Sequence, residues 1–437
     1  MILRRVQYEA AAHAVGPFLA ALEDWRQRRR KRPARESPFA PPLESLRALK
    51  DMMMVHYLSG RYADGAVPVA WVTSGFPVEM LRTLGYHTVY PENHAAICGV
   101  QRIVPALSDA VEAQGYSRDL CSYVRSDLGS LDTGKSPVGR LPRPDLLACC
   151  TNICQTVLYW YRDLARRFDV PLVLVDTPFI YGEPAPHQTR YVVDQLEEAI
   201  VIAERVAKRP LDREAFSETV RLSREGSDLW GQCLDTARSR PAPWTGVDGF
   251  FHLGPVVALR GTEACNAYYR TLLDELKDRV ARGIGGLKGE ERHRLLWDNL
   301  PVWYATREIT TLLGSQGFNF VCTTYTNAWA EASSLIDPAD PMTSGARSYS
   351  QIMLNRDLPN KLRLLERLSR EFGADGAVLH SDRSCKPYSI GQVDLKDRLA
   401  RDLGIKTLLL EADHNDPRSW ASELSANRIG AFMESFS

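Results

Sequence analysis

The sequence predicts an α/β protein with two doubly wound, Rossmann- or flavodoxin-like parallel-sheet domains, an N-terminal helical segment and a helical connector. Three observations lead to this prediction: two stretches where strand and helix patterns alternate, a long helical stretch between them, and a length of 437 residues. At roughly 100 to 200 residues per domain, that length favours two domains and an appendage. The predicted boundaries are 1–65 for the helical segment, 66–185 for the first α/β domain, 186–289 for the connector and 290–437 for the second α/β domain.

The N-terminal segment carries apolar residues at spacings of three and four, in AAAHAVGPFLAALEDW and PPLESLRALKDMMMVHYLSG. This periodicity predicts helices. The basic run from Arg26 to Arg35 lies between them and is interpreted as a solvated linker, because it is short, lacks interleaved aromatic residues and belongs to a chain of zero formal net charge. We therefore expect no nucleic-acid partner.

No export signal is recognisable at the N-terminus, and no apolar run approaches the roughly 18 residues of a membrane span. We therefore expect a cytoplasmic protein without a membrane partner. The nine cysteines would stay reduced there. An odd number of cysteines in that compartment indicates core packing, catalysis or metal ligation and argues against a disulfide framework.

The first α/β domain begins with the strand pattern VPVAWVTSG, the helix PVEMLRTLG and the strand YHTVYPE. The strand PDLLACCTN, the helix CQTVLYWYRDLARRF and the strand VPLVLVDTPF follow. Strands separated by helices predict right-handed crossovers and a largely parallel sheet.

The second α/β domain repeats this order after the helical connector. HRLLWDN and FNFVCTTYTN correspond to the first two strands, and ADGAVLHSD and IKTLLLEADHND to the last two. In both halves a buried strand ends in polar residues, a cysteine follows and a helix begins. Cys154 and Cys385 occupy these equivalent positions, so the sequence predicts duplication of a whole domain.

Ligands of open parallel sheets collect beyond the carboxyl ends of the strands, where we expect Cys154 and Cys385. Each precedes a helix, whose N-terminus favours a thiolate. Cys121 lies beside Arg118 and Arg125, a basic setting that also favours a thiolate.

The other cysteines are mostly explained by burial, because free cysteine is a small apolar residue. Core packing is predicted for five of them: Cys149, Cys150, Cys233, Cys265 and Cys322. For Cys98 the sequence leaves packing and ligation open. Since no C-x-x-C pair occurs, any metal ligands must come from distant segments.

A formal P-loop pattern, G-x-x-x-x-G-K-S, spans Gly129 to Ser136. The motif requires a buried strand before it and a helix that begins at its lysine. Here a polar segment precedes the pattern, and Pro137 and Pro142 oppose a helix. We therefore expect no ATP site in this segment.

Four segments taken together resemble a known family: WVTSGFPVEMLRTLGYHTVYPENHAAICG, YSRDLCSYVR, PDLLACCTNICQT and HSDRSCKP. They resemble signature segments of the large subunits of benzoyl-CoA reductase and the 2-hydroxyacyl-CoA dehydratases. The resemblance covers most of residues 66–425. In length and character the chain is most similar to the larger cluster-bearing, B-type subunit of ATP-dependent benzoyl-CoA reductase.

This resemblance implies that Cys121, Cys154 and Cys385 hold an oxygen-sensitive iron-sulfur cluster, either 4Fe-4S or a larger double cluster. It implies an oxidoreductase of anaerobic aromatic degradation that acts on CH-CH groups and reduces benzoyl-CoA to a cyclic diene thioester with single low-potential electrons. The implied partners are a paralogous cluster-bearing subunit and a two-subunit ATP-hydrolysing activator with its own cluster, fed by ferredoxin. The chain would then work in a hetero-oligomer on an acyl-CoA substrate.

Two alternatives remain open at this stage. The first is a subunit of a 2-hydroxyacyl-CoA dehydratase that uses a ketyl radical, and the second is an electron-relay or scaffold subunit whose paralogous partner performs catalysis. As proton donors in either enzyme we expect Glu92 and His94, with His380 as a weaker third candidate, because histidine titrates near neutrality. Glu92 and His94 could equally serve only to hydrogen-bond a loop.

Overall fold

The computed structural model of the chain describes residues 2–29 and 36–437. Its N-terminal part is helical, as the sequence predicts: α1 (Ile2–Ala10) continues through a π-helical turn into α2 (Gly16–Arg29), and α3 (Ser45–Gly60) follows. Residues 30–35 of the predicted basic linker lie outside the described part of the chain.

The first sheet has four parallel strands in the order β2-β1-β3-β4. Its strands are β1 (Val69–Val72), β2 (His87–Val89), β3 (Leu146–Cys150) and β4 (Leu172–Val175). The associated helices are α4 (Glu79–Thr83), α5 (Pro91–Val100), α6 (Val104–Glu112), α7 (Ser122–Thr133) and α8 (Gln155–Phe168). The strand patterns predicted these strands, whereas α5, α6 and α7 were not assigned from the sequence.

Strand β1 is buried along its whole length, and its side chains alternate between two cores. Ala70 and Val72 face one apolar cluster, and Val69 and Trp71 face the other. A central parallel strand covered on both sides needs apolar residues at every position, which explains why VAWV has no polar face.

The helical connector follows the first sheet. It consists of α9 (Pro186–Ala207), α10 (Arg213–Asp235), α11 (Gly246–His252), α12 (Gly254–Ala258) and α13 (Glu263–Ala281). Helix α10 packs on α13, and the Trp230 indole donates a hydrogen bond of 2.9 Å to the Thr326 carbonyl in the second half of the chain. The connector therefore contacts the half that follows it.

The second sheet has the order β6-β5-β7-β8, the same topology as the first. Its strands are β5 (His293–Asp298), β6 (Phe318–Thr323), β7 (Gly376–Asp382) and β8 (Lys406–Ala412). The remaining helices are α14 (Thr306–Gly314), α15 (Thr324–Glu331), α16 (Pro341–Ser350), α17 (Leu358–Glu371), α18 (Lys386–Ser389), α19 (Gln392–Leu403) and α20 (Ser422–Glu434).

The identical strand orders confirm the two-sheet α/β fold and the predicted internal repeat. In both sheets the order reverses between the first and third strands, and ligands of such sheets bind beyond the carboxyl ends at this point. Within the described residues, no helix is both long and apolar enough to cross a membrane.

Candidate functional site

A cleft lies between the two halves of the chain and contains about 1320 Å³ of space, open solvent included. Residues from the ends of β1, β3 and β7 line it, together with residues of the connector and of α15 and α16. Most of the wall is apolar or aromatic; it includes Ile153, Val157, Trp160, Val257, Leu300, Tyr325, Trp329, Ile336, Tyr349, Ile352, Met353, Leu354 and Tyr388.

Three cysteines converge on this cleft from distant segments, namely Cys121, Cys154 and Cys385. Each stands at the N-cap of a helix: Cys121 before α7, Cys154 before α8 and Cys385 before α18. These three cysteines are half-buried, and the other six are fully buried. The exposure of these residues thus separates the three predicted ligands from the cysteines assigned to packing.

At Cys154 and Cys385 burial acts against the effect of the helix N-terminus. Burial raises the pKa of the Cys154 thiol to about 12, and the nearby Cys121 adds to the effect. Burial, then Asp382 and the two other cysteines, raise the pKa of Cys385 well above its ordinary range. Desolvation thus raises the pKa of both thiols, whereas a bound cation would favour their deprotonated form.

The distances between the three sulfur atoms indicate which kind of metal centre they could hold. They do not all lie within 4.8 Å of one another, since among the described residues only Asp382, Asp413 and His414 place three donor atoms that close. A single zinc ion holds each thiolate at about 2.3 Å, which would draw its sulfurs to within roughly 4 Å of one another. Three soft donors with wider spacing fit an iron-sulfur cluster, whose thiolates bind different iron atoms.

The basic neighbour of Cys121 is not the arginine that the sequence suggested. The Arg125 guanidinium is engaged elsewhere: its Nη1 donates to Glu112 at 2.9 Å and to Asp416 at 2.6 Å. The neighbour of the Cys121 sulfur is instead the Nε2 atom of His414, 4.0 Å away. Sequence reasoning missed this histidine, although it follows β8 in the polar run EADHND.

His414 belongs to a buried polar network behind Cys121. Its Nδ1 lies 2.7 Å from Asp382 Oδ2 and its Nε2 lies 3.0 Å from Ser122 Oγ. Ser384 donates a hydrogen bond of 2.7 Å to Asp413. The network connects the loops that carry Cys121 and Cys385, so it fixes the positions of two candidate ligands relative to each other.

Of the predicted proton donors, Glu92 lines the cleft and His94 and His380 do not. Glu92 Oε1 accepts a hydrogen bond of 3.1 Å from the Ser74 amide. Burial raises the pKa of Glu92 to about 7, so near neutrality this carboxyl can both donate and accept a proton. His380 is fully buried and contacts the Leu300 carbonyl through Nδ1 at 2.7 Å.

Cys98 lies outside the lining of the cleft. Its side chain is fully buried in a small cluster with Val104 and Leu107, and its sulfur lies 3.8 Å from His94 Nε2. Burial raises the pKa of its thiol to about 12. The structure therefore favours packing for the cysteine whose role the sequence left open.

The one cation in the wall of the cleft, among the described residues, is Arg260. Its Nε donates to Glu79 Oε1 at 3.0 Å, and the Tyr349 hydroxyl donates to both oxygens of the same carboxylate, at 2.9 and 3.0 Å. Glu79 and Arg260 are both buried. The charge of Arg260 is thus neutralised inside the protein, and the cleft has an apolar character near it.

The P-loop-like segment has the opposite geometry to a nucleotide site. Gly129 lies inside α7, which ends at Thr133, and Gly134 caps it with a φ of 68°. The glycines and lysine thus stand at the C-terminus of a helix, where carbonyl groups repel phosphate.

Comparison with known proteins places the chain in a family. The family described as 2-hydroxyglutaryl-CoA dehydratase, D-component, matches residues 73–436. The chain is 31% identical to the (R)-phenyllactyl-CoA dehydratase alpha subunit of Clostridium sporogenes, over 84% of the chain and 89% of the relative. It is 32% identical to the (R)-2-hydroxyisocaproyl-CoA dehydratase alpha subunit of Clostridioides difficile, over 88% of the chain and 94% of the relative.

A component of a reductase is also similar to the chain. The B-type subunit of the benzoyl-CoA reductase of Thauera aromatica is 28% identical over 92% of the chain and 96% of the relative. These relatives confirm the resemblance that the cysteine-containing segments suggested. The chain therefore belongs to the 2-hydroxyglutaryl-CoA dehydratase D-component family, which includes alpha and B subunits of enzymes named for acyl-CoA substrates.

Proposed function

We propose that the chain is the cluster-bearing, alpha-type subunit of an enzyme that removes water from a 2-hydroxyacyl-CoA with an apolar acyl group. The observation that carries this proposal is the apolar cleft that ends at three thiols from three separate segments. The identity of 31% and 32% between the chain and two dehydratase alpha subunits supports dehydration as the reaction.

Cys121, Cys154 and Cys385 would hold the iron-sulfur cluster. When bound, it would supply low-potential single electrons, and in a 4Fe-4S cluster three thiolates would leave one iron without a protein ligand. The chain's own residues do the rest. The aromatic and aliphatic wall excludes water and holds the acyl group, which strengthens electrostatic interactions at the reacting atoms.

Glu92 is the proton-transferring group of this proposal. Dehydration removes one proton from carbon and releases the hydroxyl group with another, so the site needs a base and an acid. A half-buried carboxyl with a pKa of about 7 can perform either role. The Ser74 amide donates a hydrogen bond to Oε1 of Glu92. Oε2 has no hydrogen-bond partner among the described residues and can accept or release the proton.

The second candidate is reduction of benzoyl-CoA, the activity expected from the sequence. The alignment with the reductase relative of Thauera aromatica favours it because this alignment covers 92% of the chain, against 84% and 88% for the two dehydratase relatives. An aromatic ring would also fit a wall that contains Trp160, Tyr325 and Trp329.

A pure scaffold or electron-relay role is the third candidate and has less support. Such a protein has no need of a substrate-sized apolar cleft beside its cluster ligands. The partners that we propose are a paralogous cluster-bearing subunit, an ATP-hydrolysing activator and ferredoxin. The naming of relatives as alpha and B subunits supports the paralogous partner.

One assay separates the candidates. The chain is assembled anaerobically with its paralogous subunit, activator, ATP and a low-potential reductant. The mixture receives (R)-phenyllactyl-CoA, (R)-2-hydroxyisocaproyl-CoA or benzoyl-CoA, and the products are separated by liquid chromatography. An enoyl-CoA product supports dehydration, and a cyclic diene thioester supports the reductase. Turnover that survives Glu92→Gln and cleft-blocking substitutions in this chain would assign catalysis to the partner.

A further inference from the structure

A second buried polar cluster lies behind the wall of the cleft. Its members are Glu92 and His94 on α5, Asp127 on α7, and Ser136 just beyond the end of α7. His94 and Asp127 are fully buried, whereas Ser136 is partly exposed to solvent. The cluster therefore extends from the protein surface to a residue that lines the cleft.

The contacts inside the cluster lead from Ser136 through His94 to Asp127. His94 Nε2 lies 3.0 Å from Ser136 Oγ. On the other side of the ring, His94 Nδ1 lies 3.7 Å from Asp127 Oδ1. The second oxygen of Asp127 accepts a hydrogen bond of 3.1 Å from the indole of Trp160, a residue of the cleft wall.

Three atoms of this cluster lack a hydrogen-bond partner among the described residues, although they are buried. They are Glu92 Oε2, His94 Nδ1 and Asp127 Oδ1. Buried polar atoms are nearly always hydrogen-bonded, either to the protein or to an ordered water molecule. Ordered water is the usual partner of such atoms, and it can carry a proton from one of them to the next.

Glu92 is the inner end of this chain. Glu92 lies on α5, which packs on α7, the helix that carries Asp127. The charge of Asp127 adds to the effect of burial in raising the pKa of Glu92. The charge of Glu92 also contributes to the raised pKa of Cys149 on β3, Tyr161 on α8 and Tyr325 on α15. None of these three carries a positive charge that would oppose protonation of Glu92.

We propose that Ser136, His94 and Asp127 form a proton relay from solvent to Glu92. Ser136 Oγ accepts a proton from a hydronium ion of the solvent, which becomes water, and passes its own hydroxyl proton to His94 Nε2. His94 then releases the proton of Nδ1 to Asp127 Oδ1, and Asp127 passes it to Glu92 Oε2, each transfer through an ordered water molecule. One proton moves and no electron is transferred. The role of the relay in turnover rests on the proposed function, whereas proton transfer to Glu92 does not.

This assignment also explains the P-loop-like pattern. Ser136 is its last residue, and Gly134 ends α7 so that the chain turns back and brings this hydroxyl over His94. The serine would thus act in proton uptake. The glycine and lysine of the P-loop-like pattern would only mark the C-terminus of α7.

The test uses His94→Gln, Asp127→Asn and Ser136→Ala. The first two keep the size and hydrogen-bonding capacity of the side chain but cannot carry a proton, and the third removes a partly exposed hydroxyl. Cys98→Ala is the matched control, because it removes the other neighbour of His94 Nε2, 3.8 Å away, and leaves the relay intact.

In the assembled enzyme, we expect each relay variant to keep its iron and its KM and to lose kcat by roughly 10²-fold, the usual contribution of a proton-transfer group. A readout without turnover is the infrared band of the protonated Glu92 carboxyl at pH 6, identified by its loss in Glu92→Gln. After transfer to heavy water, the band should shift at least about tenfold more slowly in the relay variants than in wild type or Cys98→Ala.

Equal exchange rates in wild type and all three relay variants would overturn the relay. Failure of the wild-type assembly to act on any acyl-CoA would instead refute the proposed function, and the infrared exchange rates would still decide whether protons reach Glu92 by this route. If a buried variant does not fold, Ser136→Ala decides the question alone.

Discussion

The imidazole of His414 lies 2.7 Å from the carboxylate of Asp382, and both side chains are fully buried. Burial alone would lower the pKa of His414, but Asp382 and the hydrogen bonds to Asp382 and Cys121 hold that pKa well above its ordinary value. The pair is thus a buried ion pair directly behind a candidate cluster ligand.

Replacing His414 by Ala should destabilise the fold, because it leaves Asp382 buried without its partner. Loss of one member of a buried pair costs about 3 kcal/mol. Urea denaturation of the metal-free chain measures the change. The control is His13→Ala, which removes a histidine from an exposed pair with Glu9; its effect should be far smaller. Equal stability of His414→Ala and wild type would mean that the network does not hold the ligand loops.

The Glu79–Arg260 pair gives a prediction with a pH dependence. Burial would raise the pKa of Glu79, but Arg260, Ser223 and Tyr349 outweigh it and hold the pKa below the ordinary value of 4.5. Because the folded-state pKa is depressed, the stabilisation is fully present above pH 4.5 and is lost as the pH falls through the folded-state value.

At pH 7, Glu79→Gln should lower the free energy of unfolding by about 3 kcal/mol, since it leaves Arg260 buried without a carboxylate. The difference from wild type should shrink as the pH is lowered below 4.5. Glu218→Gln, in an exposed pair with Arg221, is the control and should show no such difference at any pH. A difference for Glu79→Gln that is constant with pH would contradict the assigned protonation state.

Because Glu79 neutralises the charge of Arg260, we expect the cleft to prefer an apolar acyl group. Because no free cation lines the cleft among the described residues, a thioester with a terminal carboxylate would have to bury that charge unpaired. We expect it to bind at least about tenfold more weakly than a thioester with an aromatic or branched aliphatic group, an energy difference of about 1.4 kcal/mol or more. Competition binding against a common ligand measures this ratio, with free coenzyme A as reference. Preferred binding of the dicarboxylic thioester would refute the proposed preference for an apolar acyl group.

Replacing Lys135 by Ala should leave the ATP dependence of the assembled enzyme unchanged. Lys135 follows the C-terminus of α7, so it has no helix N-terminus beside it to bind phosphate. Binding of a fluorescent ATP analogue to the isolated chain and ATP-dependent turnover of the complex check the prediction. If Lys135→Ala abolished either one, the segment would have to act as a nucleotide site in spite of its geometry.

Local sequence patterns were sufficient to predict the strands and the positions of Cys154 and Cys385, because the strand, cysteine and helix are contiguous in the chain. They were insufficient for contacts between distant segments. His414 is 293 residues from Cys121, and only the folded arrangement of β8 and α7 brings them together. The arginine assigned as the basic neighbour of Cys121 was wrong for the same reason, since Arg125 turns towards Asp416, 291 residues away.

The protonation states of the thiols also required the structure. A helix N-terminus is visible in the sequence and favours a thiolate, but the degree of burial is not visible, and at Cys154 and Cys385 burial raises the pKa of the thiol. Helix α5 was missed although Pro91 stands at its first position, a recognisable helix start. Its start matters because Glu92 and His94 lie in its first turns.

The central claim is that Cys121, Cys154 and Cys385 together hold one iron-sulfur cluster in the cleft. Its most direct test is an anaerobic iron count and electron paramagnetic resonance spectrum of single Cys→Ala variants within the assembled enzyme. Cys121→Ala, Cys154→Ala and Cys385→Ala should each lose iron and the cluster signal. Cys149→Ala and Cys98→Ala, which remove fully buried thiols outside the cleft, should keep both and lose only about 1 kcal/mol of stability. Wild-type iron and an unchanged spectrum in the Cys154 and Cys385 variants would contradict the account.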